Sequence, residues 1–382
     1  MRKVCVVVGS RANYSSIKSV MRAVDGHPDL QLQVVAGASA LLDRYGAVVK
    51  HIERDGFQVA ARMHMLVEGE TPATMVQSTG LGLVELPLVF DQLRPDIVVT
   101  VGDRFETMAT AVAAAYMNIT LAHTMGGEIS GTIDESIRHA VTKFAHVHFP
   151  ACEQARARIV RLGERPEHVH LVGCPRIDLV AEILQDPAPL KDDLFGTGVG
   201  GRFDIDGEFL LVSQHPVTTE YGSGREQILA TLRAVEQVGL PAIILWPNAD
   251  AGSEDIAAGM RWFREHRDES RLHFFKNLQT DVYVRLMARA TCLVGNSSSG
   301  IREGAFIGTP TVNIGTRQMN RQRGPNVVDV DYNVGAIADA VGTQRRHGRY
   351  DRTPIYGDGG AGPRIADILA VTSPPLQKVL TF

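Results

Sequence analysis

Six short polar segments hold most of the side chains in this 382-residue chain that are capable of chemistry. They are Gly9-Ser10-Arg11, Gly102-Asp103-Arg104, His123 to Glu128, Ser213-Gln214-His215, Trp246-Pro247-Asn248 and Gly295-Asn296-Ser297-Ser298-Ser299-Gly300. Each follows directly on an apolar run. The last is the most telling. Its small residues lead into a helix expected to begin near Ile301. Backbone N–H groups at a helix start, together with serine hydroxyls and flanking glycines, make an anion seat. The segment is neither Gly-x-Gly-x-x-Gly nor a P-loop, because no Gly-Lys-Ser/Thr follows. A serine that only caps the helix would give the same pattern. Glu303 falls in the first helical turn, where it can accept hydrogen bonds from ribose hydroxyls or simply complement the helix dipole. Arg11 and Arg317 lie beside glycine-containing turns (Gly9; Gly315-Thr316), and guanidinium groups there suit diphosphate oxygens.

The stretch from Gly126 to His139 is dense in polar groups. Asp134 and Arg138 are four residues apart and share one face of the helix expected there. Thr132 is placed to cap that helix, with Glu135 completing a capping box. Asp103 follows a strand and is flanked by Arg104 and Glu106. His215 precedes Pro216 at another strand end, where an ordinary turn histidine is the competing reading.

The elements that must position these residues are short apolar strands alternating with helices. Strands are expected at Lys3–Val8, Leu32–Ala36, Asp96–Val101, Ile119–His123, His146–Phe149 and Val169–Val172. Helices are expected at Ser15–Val24, Arg104–Met117, Ile133–Phe144 and Glu153–Leu162. After a Gly-, Pro- and Asp-rich break, strands resume at Phe209–Ser213, Ala242–Trp246, Leu272–Phe275, Cys292–Val294 and Thr311–Ile314. Helices fall between them at about Arg225–Val238, Glu254–Glu265 and Thr280–Ala290, and a last one at Pro363–Val371. Continuous apolar strands separated by helices predict parallel sheets covered on both faces. The class is therefore α/β, with two doubly wound halves. The expected organisation is residues 1–183, a linker at 184–207, a second domain at 208–357, and a terminal helix and tail at 358–382 that packs back on the first domain. In such sheets ligands bind beyond the carboxyl ends of the strands. All six polar segments lie at such ends, three from each half, which predicts one site in a cleft between the domains.

Composition narrows the function. With 39 Lys+Arg against 43 Asp+Glu, the net charge is −4, which argues against a nucleic-acid partner. The apolar run Val4 to Val8 is too short for a signal peptide and is soon followed by Arg11. No apolar stretch is read as reaching about 18 residues, so no membrane span is expected. Cys5, Cys152, Cys174 and Cys292 show no metal-binding spacing and read as buried reduced thiols in a cytoplasmic protein.

Together the segments GSRANYS (9–15), VGDRFE (101–106), GGEISGTIDESIRHAVTKFAHVHF (126–149), LVGCPRID (171–178), PNADAGS (247–253) and GNSSSGIREGAFIGTPTVNIGTRQ (295–318) resemble the UDP-N-acetylglucosamine 2-epimerases, in particular their hydrolysing branch. They keep family order over almost the whole chain. The resemblance implies the GT-B architecture, with two Rossmann-like domains and the nucleotide mostly on the second. It implies elimination of UDP across C1–C2 of the sugar to a 2-acetamidoglucal. Water then adds with inversion at C2, giving N-acetylmannosamine plus UDP. No cofactor and no metal are implied. The expected partners are a nucleotide-sugar substrate and further copies of the chain, as a homodimer or homotetramer.

Carried over by position, the resemblance places Arg11 and Ser15 at the diphosphate or uridine. Asp103, Asp134 and Arg138 surround the sugar, and His215 lies near the departing diphosphate. Asn248, Ser297, Ser298, Gly300, Glu303 and Arg317 hold UDP, with Glu303 on the ribose. One position departs. Many relatives carry His-x-Glu-Gly-Gly where this chain has His123-Thr124-Met125-Gly126-Gly127. Met125 cannot move a proton, so either Asp103, Asp134 or Glu128 covers that role, or the sugar differs, or the chain is inactive. A less polar pocket there is compatible with a 2,4-diacetamido-2,4,6-trideoxy sugar, as in legionaminic acid synthesis. A non-hydrolysing epimerase, a GT-B glycosyltransferase and a non-catalytic nucleotide-sugar-binding protein are the alternatives.

Overall fold

The computed structural model describes residues 1–69, 71–186, 190, 194–247 and 250–381. They divide into two units. Unit 1 comprises Met1–Ile129, Ile133–Ala181 and Tyr356–Phe382; unit 2 comprises Ser130–Thr132 and Glu182–Ile355.

Unit 1 is built on six parallel strands: β1 (Arg2–Val8), β2 (Leu30–Gly37), β3 (Val59–Met63), β4 (Ile97–Val101), β5 (Thr120–Thr124) and β6 (Val147–Phe149). Their order is β3-β2-β1-β4-β5-β6. The chain reverses its direction of winding between β1 and β4, the crevice at which doubly wound sheets take ligands. β1 and β4 are apolar and almost wholly buried, as strands covered on both faces must be. Helices α1 (Arg11–Ser15), α2 (Lys18–Asp25), α3 (Val48–Arg54), α4 (Pro72–Leu93), α5 (Phe105–Tyr116), α6 (Asp134–Phe144) and α7 (Glu153–Arg161) connect them. The division into units falls within α8 (Pro175–Gln185).

Unit 2 repeats the winding. Strands β7 (Val199–Gly200), β8 (Leu210–Ser213), β9 (Ala242–Leu245), β10 (Leu272–Phe275), β11 (Cys292–Gly295), β12 (Thr311–Ile314) and β13 (Val327–Val330) form one sheet ordered β13-β12-β11-β8-β9-β10-β7. Only β7 is antiparallel. The reversal lies between β8 and β11, which pair in parallel with Ser213 opposite Gly295. Helices α9 (Gly224–Val238), α10 (Ser253–His266), α11 (Thr280–Arg289), α12 (Arg302–Ile307) and α13 (Val334–His347) cover the sheet, and α14 (Ala361–Val371) belongs to unit 1. The Asp178 carboxylate accepts from the Ala361 and Gly362 N–H groups at 3.0 and 2.7 Å, capping α14 where it packs on α2.

Several expectations are corrected. The helix expected at Ser15–Val24 is two helices, broken at Ser16-Ile17. Val169–Val172 forms only a single bridge, Val169 to His148. The break after Leu184 contains β7. The strands β3 and β13 and the helices α3, α4, α8 and α13 were not expected at all. α4 is also long and apolar enough to meet the length and composition test for a membrane span, with a mean hydropathy of 1.3, contrary to the expectation that no such stretch exists. It packs on α5 through Ser78, Gly82, Leu86, Val89 and Phe90. A side chain at Gly82 would lie 2.9 Å from Ala109 Cβ, so the glycine permits this close approach. All four cysteines are buried thiols, and burial pushes those of Cys5 and Cys292 up to about 12.

Candidate functional site

In unit 1 the site is built at the reversal between β1 and β4. Ser10 caps α1 by accepting from the Asn13 N–H at 3.2 Å. The Asn13 amide then accepts from the Gly9 N–H at 3.2 Å and donates to the Val101 carbonyl at 3.4 Å, tying the ends of the two strands together. Gly9 must be glycine, because a side chain there would lie 2.2 Å from Glu106 Cγ. Glu106 is buried and pairs with Arg104 at 2.9 Å. Arg11 is half-buried at the start of α1. Ser15 is buried and donates its hydroxyl proton to the Arg11 carbonyl at 3.0 Å.

Asp103 follows the left-handed Gly102 at the end of β4. Arg138, from α6 and only 1% exposed, donates from Nε at 2.9 Å and from Nη2 to Asp103 Oδ2. Its Nη1 donates to the Glu128 carbonyl at 2.6 Å. Burial opposes the guanidinium charge, but the carboxylates of Asp103, Glu128 and Asp134 outweigh it and raise its pKa. A permanently charged arginine thus stands among three carboxylates, two of them near strand ends. Glu128 is buried, and Asp134 is half-buried in the first turn of α6. The capping box expected from Thr132 and Glu135 does not form: Ile133 is the N-cap and makes no side-chain cap bond. Glu135 instead lies 3.4 Å from His139. Met125 is buried in a left-handed conformation with its sulfur 3.5 Å from Cys174 Sγ.

In unit 2 the reversal between β8 and β11 is tied by Asn296, which is fully buried. Its side chain accepts from the His215 N–H at 2.7 Å and donates to the His215 carbonyl at 2.9 Å. This fixes His215, which is buried with Nε2 3.5 Å from Ser213 Oγ. Gly295 has φ +133, and a side chain there would lie 2.2 Å from the Ser213 carbonyl. Ser297 caps a 3₁₀ turn over Ser298–Gly300 by accepting from the Ser299 N–H. Helix α12 follows with Ile301 as its N-cap, where a helix start was expected, and is six residues long. Ser299 is locked by Tyr283 at 2.5 Å and Ser297 at 2.8 Å. Ser298 is half-buried, Gly300 is buried against Thr311, and Glu303 is 5% exposed in the first turn of α12. Arg317 is half-buried and donates to the Asn296 carbonyl at 3.2 Å. Asn248 lies outside the described residues.

These two tied strand reversals carry the polar residues described above, and comparison with known proteins shows the family. A model of the UDP-N-acetylglucosamine 2-epimerase family matches residues 22–370. The chain belongs to this family. It is 33% identical to the UDP-N,N'-diacetylbacillosamine 2-epimerase (hydrolyzing) of Legionella pneumophila over 97% of this chain and 96% of that one. It is 31% identical to the GDP/UDP-N,N'-diacetylbacillosamine 2-epimerase (hydrolyzing) of Campylobacter jejuni, covering 87% of this chain and 85% of that one. In fold it matches the UDP-GlcNAc 2-epimerase of Methanocaldococcus jannaschii, whose structure holds UDP-GlcNAc and UDP. The TM-score is 0.80 at 17% identity, covering 97% of this chain and 100% of that one. The epimerase fold is thus GT-B-like, with two Rossmann-like units, as the resemblance implied.

Sequence reasoning gave no role of their own to three residues that brace these strand ends and the serine turn. His123 is fully buried and donates from Nε2 to the Gly102 carbonyl at 2.7 Å, one residue before Asp103. Burial brings its pKa down to about 4, so it is a neutral, fixed donor. Asn13 and Tyr283 act in the same supporting way. The strand-end position flags His123. Nothing in sequence spacing flags Tyr283, which meets Ser299 from another helix.

Proposed function

We propose that this epimerase is of the hydrolysing type and converts a UDP-linked 2-acetamido sugar to the free C2 epimer and UDP. A carboxylate of unit 1 removes the C2 proton while the C1–O bond breaks and its electron pair leaves with UDP. The product of this step is a 2-acetamidoglucal. Water then supplies hydroxyl to C1, and a proton returns to C2 from the opposite face. Asp103 and Asp134 are the candidate bases, with Glu128 as the further carboxylate, and Arg138 stabilises charge at the sugar. His215 and Arg317 stabilise the departing diphosphate. Arg11, Ser15, Asn248, Ser297, Ser298 and Gly300 hold UDP, and Glu303 accepts from the ribose. The observation that supports this most directly is the buried Arg138 gripping Asp103 while its other nitrogen holds the loop carrying Glu128.

The hydrolysing relatives named for diacetylbacillosamine support a 2,4-diacetamido-2,4,6-trideoxy sugar, and the buried, apolar Met125 agrees with it. UDP-GlcNAc yielding N-acetylmannosamine is the second substrate to test, since a Neisseria meningitidis UDP-N-acetylglucosamine 2-epimerase is 29% identical. Both substrates incubated in deuterated water are expected to release UDP and free sugar carrying deuterium at C2, read by NMR. Product without deuterium at C2 defeats the proton-transfer scheme, and an intact epimerised nucleotide sugar defeats hydrolysis.

The same reading makes the protein a cytoplasmic homo-oligomer. Val76, Leu81, Val84 and Leu88 on α4 are 72%, 42%, 65% and 62% exposed, and around them lie exposed Ala73 and Gly80. A second copy is the fitting occupant, because an uncharged, largely aliphatic stripe can meet itself across a two-fold axis without charge repulsion. Val84→Glu is expected to lower the mass measured by light scattering to a smaller species. An unchanged mass removes α4 from the interface.

A further inference from the structure

We infer that residues 373–381 form a latch in which Lys378 grips the far end of the helix that carries Asp134 and Arg138. Lys378 is thereby a positioning residue for the proposed reaction. The inference rests on the functional reading above for its catalytic consequence, but not for the latch itself.

The geometry is specific. An α-helix leaves its last four carbonyls without intrahelical partners, at the negative end of its dipole. Helix α6 ends at Phe144, and Lys378 Nζ donates to the Thr142, Lys143 and Ala145 carbonyls there, at 3.2 and 2.8 Å for the first two. The same ammonium lies 2.7 Å from Glu164 Oε2, and Glu164 is 4% exposed. Lys143 of α6 lies 2.6 Å from the other oxygen of that carboxylate, and His148 in the middle of β6 lies 3.1 Å from Oε2. One buried carboxylate therefore joins α6, β6 and the tail. Burial works against the Glu164 charge, yet hydrogen bonds from His148, Lys143 and Lys378 bring its pKa down to about 2.

The tail is held on both sides of Lys378. His146 donates to the Leu376 carbonyl at 3.1 Å, and the Thr381 hydroxyl donates to the Gly163 carbonyl at 3.2 Å. Its apolar side chains contribute little to the attachment: Leu376, Val379 and Leu380 are 52%, 60% and 53% exposed. The segment is thus fastened by polar contacts rather than by a buried core, which is how a releasable element is built. α6 is eleven residues long, so the clasped carbonyls stand within about 16 Å of Asp134 on a rigid rod. Arg138 sits between, and its contacts with Asp103 and the Glu128 carbonyl require α6 to keep its axial position. A side chain that fixes one end of α6 fixes the other.

The test compares the full chain with Lys378→Met, Lys378→Arg and a chain ending at Pro374. Lys378→Met and the truncation are expected to lower kcat about tenfold with KM and UDP affinity nearly unchanged. Amides of residues 137–144, which donate within the helix, should exchange with solvent about tenfold faster in both. Lys378→Arg keeps the charge and donors and should restore most of both properties. Where Lys378→Met fails to fold, Lys378→Gln gives the same two readouts. Faster exchange confined to residues 139–144 with unchanged kcat would make Lys378 a local helix cap and overturn the inference, as would unchanged exchange throughout α6. If the unmodified chain turns over neither nucleotide sugar, the functional reading fails, and exchange at residues 137 and 138 alone decides the latch.

Discussion

Replacing Asp103 by Asn is expected to lower kcat by about 10²-fold or more, the usual range for loss of a positioned acid or base, while leaving UDP affinity within about tenfold. The shape of the side chain is kept and the amide oxygen can still accept one hydrogen bond. The charge is lost, and with it the formal partner of Arg138, which is 1% exposed and cannot recover that partner from water. Stability should fall by about 1–3 kcal/mol, the range for a charged hydrogen bond, which urea denaturation would measure. The two readouts separate the possible roles of Asp103. A purely structural aspartate would lose stability and keep its kcat at temperatures where the variant is folded. Asp134→Asn is the companion. Asp134 opens α6 and acts on Arg138 electrostatically. Its effect on stability should be smaller, about 0.3–1 kcal/mol from the helix dipole, with a comparable loss of turnover. Full activity in both variants would remove the carboxylates from the proton-transfer step.

The positions of these residues follow from the sequence to a good extent, and the exceptions have physical causes. Continuous apolar runs such as Val4–Val8 and Ile97–Val101 leave no choice but buried parallel strands, so the strand ends and their polar residues can be read directly. α4 escaped because Gly80, Gly82 and Pro87 are poor helix residues, and propensity gives no hint that Gly82 is there to admit α5. The expected Ser15–Val24 helix breaks because the Asn13 side chain is committed to Gly9 and Val101, and Ile17 has left helical geometry. The capping box fails for a related reason. The Gly131 N–H donates to the Arg317 carbonyl at 3.1 Å, and the Thr219 hydroxyl donates to the Gly131 carbonyl at 3.1 Å. Residues 130–132, Thr132 among them, group with unit 2 rather than with α6, and the helix starts only at Asp134. The Asp134–Arg138 spacing was read as a pair on one helix. Asp134 does act on the Arg138 charge, but the side chain of Arg138 also grips Asp103, thirty-five residues away, a contact that the sheet order creates.

Glu303→Ala should weaken UDP binding by about 1–3 kcal/mol, roughly 5- to 150-fold in Kd by calorimetry. Glu303 is 5% exposed, so a ribose hydroxyl meets an acceptor that water screens little. The competing role is local: an acid in the first turn of α12 complements the helix dipole whether or not a ligand is present. That role predicts a loss of stability and no change in affinity. A second ligand sharpens the distinction. Ser297, Ser298 and Arg317 are assigned to the diphosphate, so their replacement should weaken UDP and leave uridine unaffected. A ribose contact must weaken both ligands by the same factor, because both carry the same sugar. Equal losses for UDP and uridine in Glu303→Ala, with uridine binding intact in Ser298→Ala, would place the ribose at α12 and the phosphates at the turn before it. A loss confined to UDP would move Glu303 away from the ribose and make its effect a structural one on the phosphate seat, because removing a negative charge by itself would strengthen the binding of an anion.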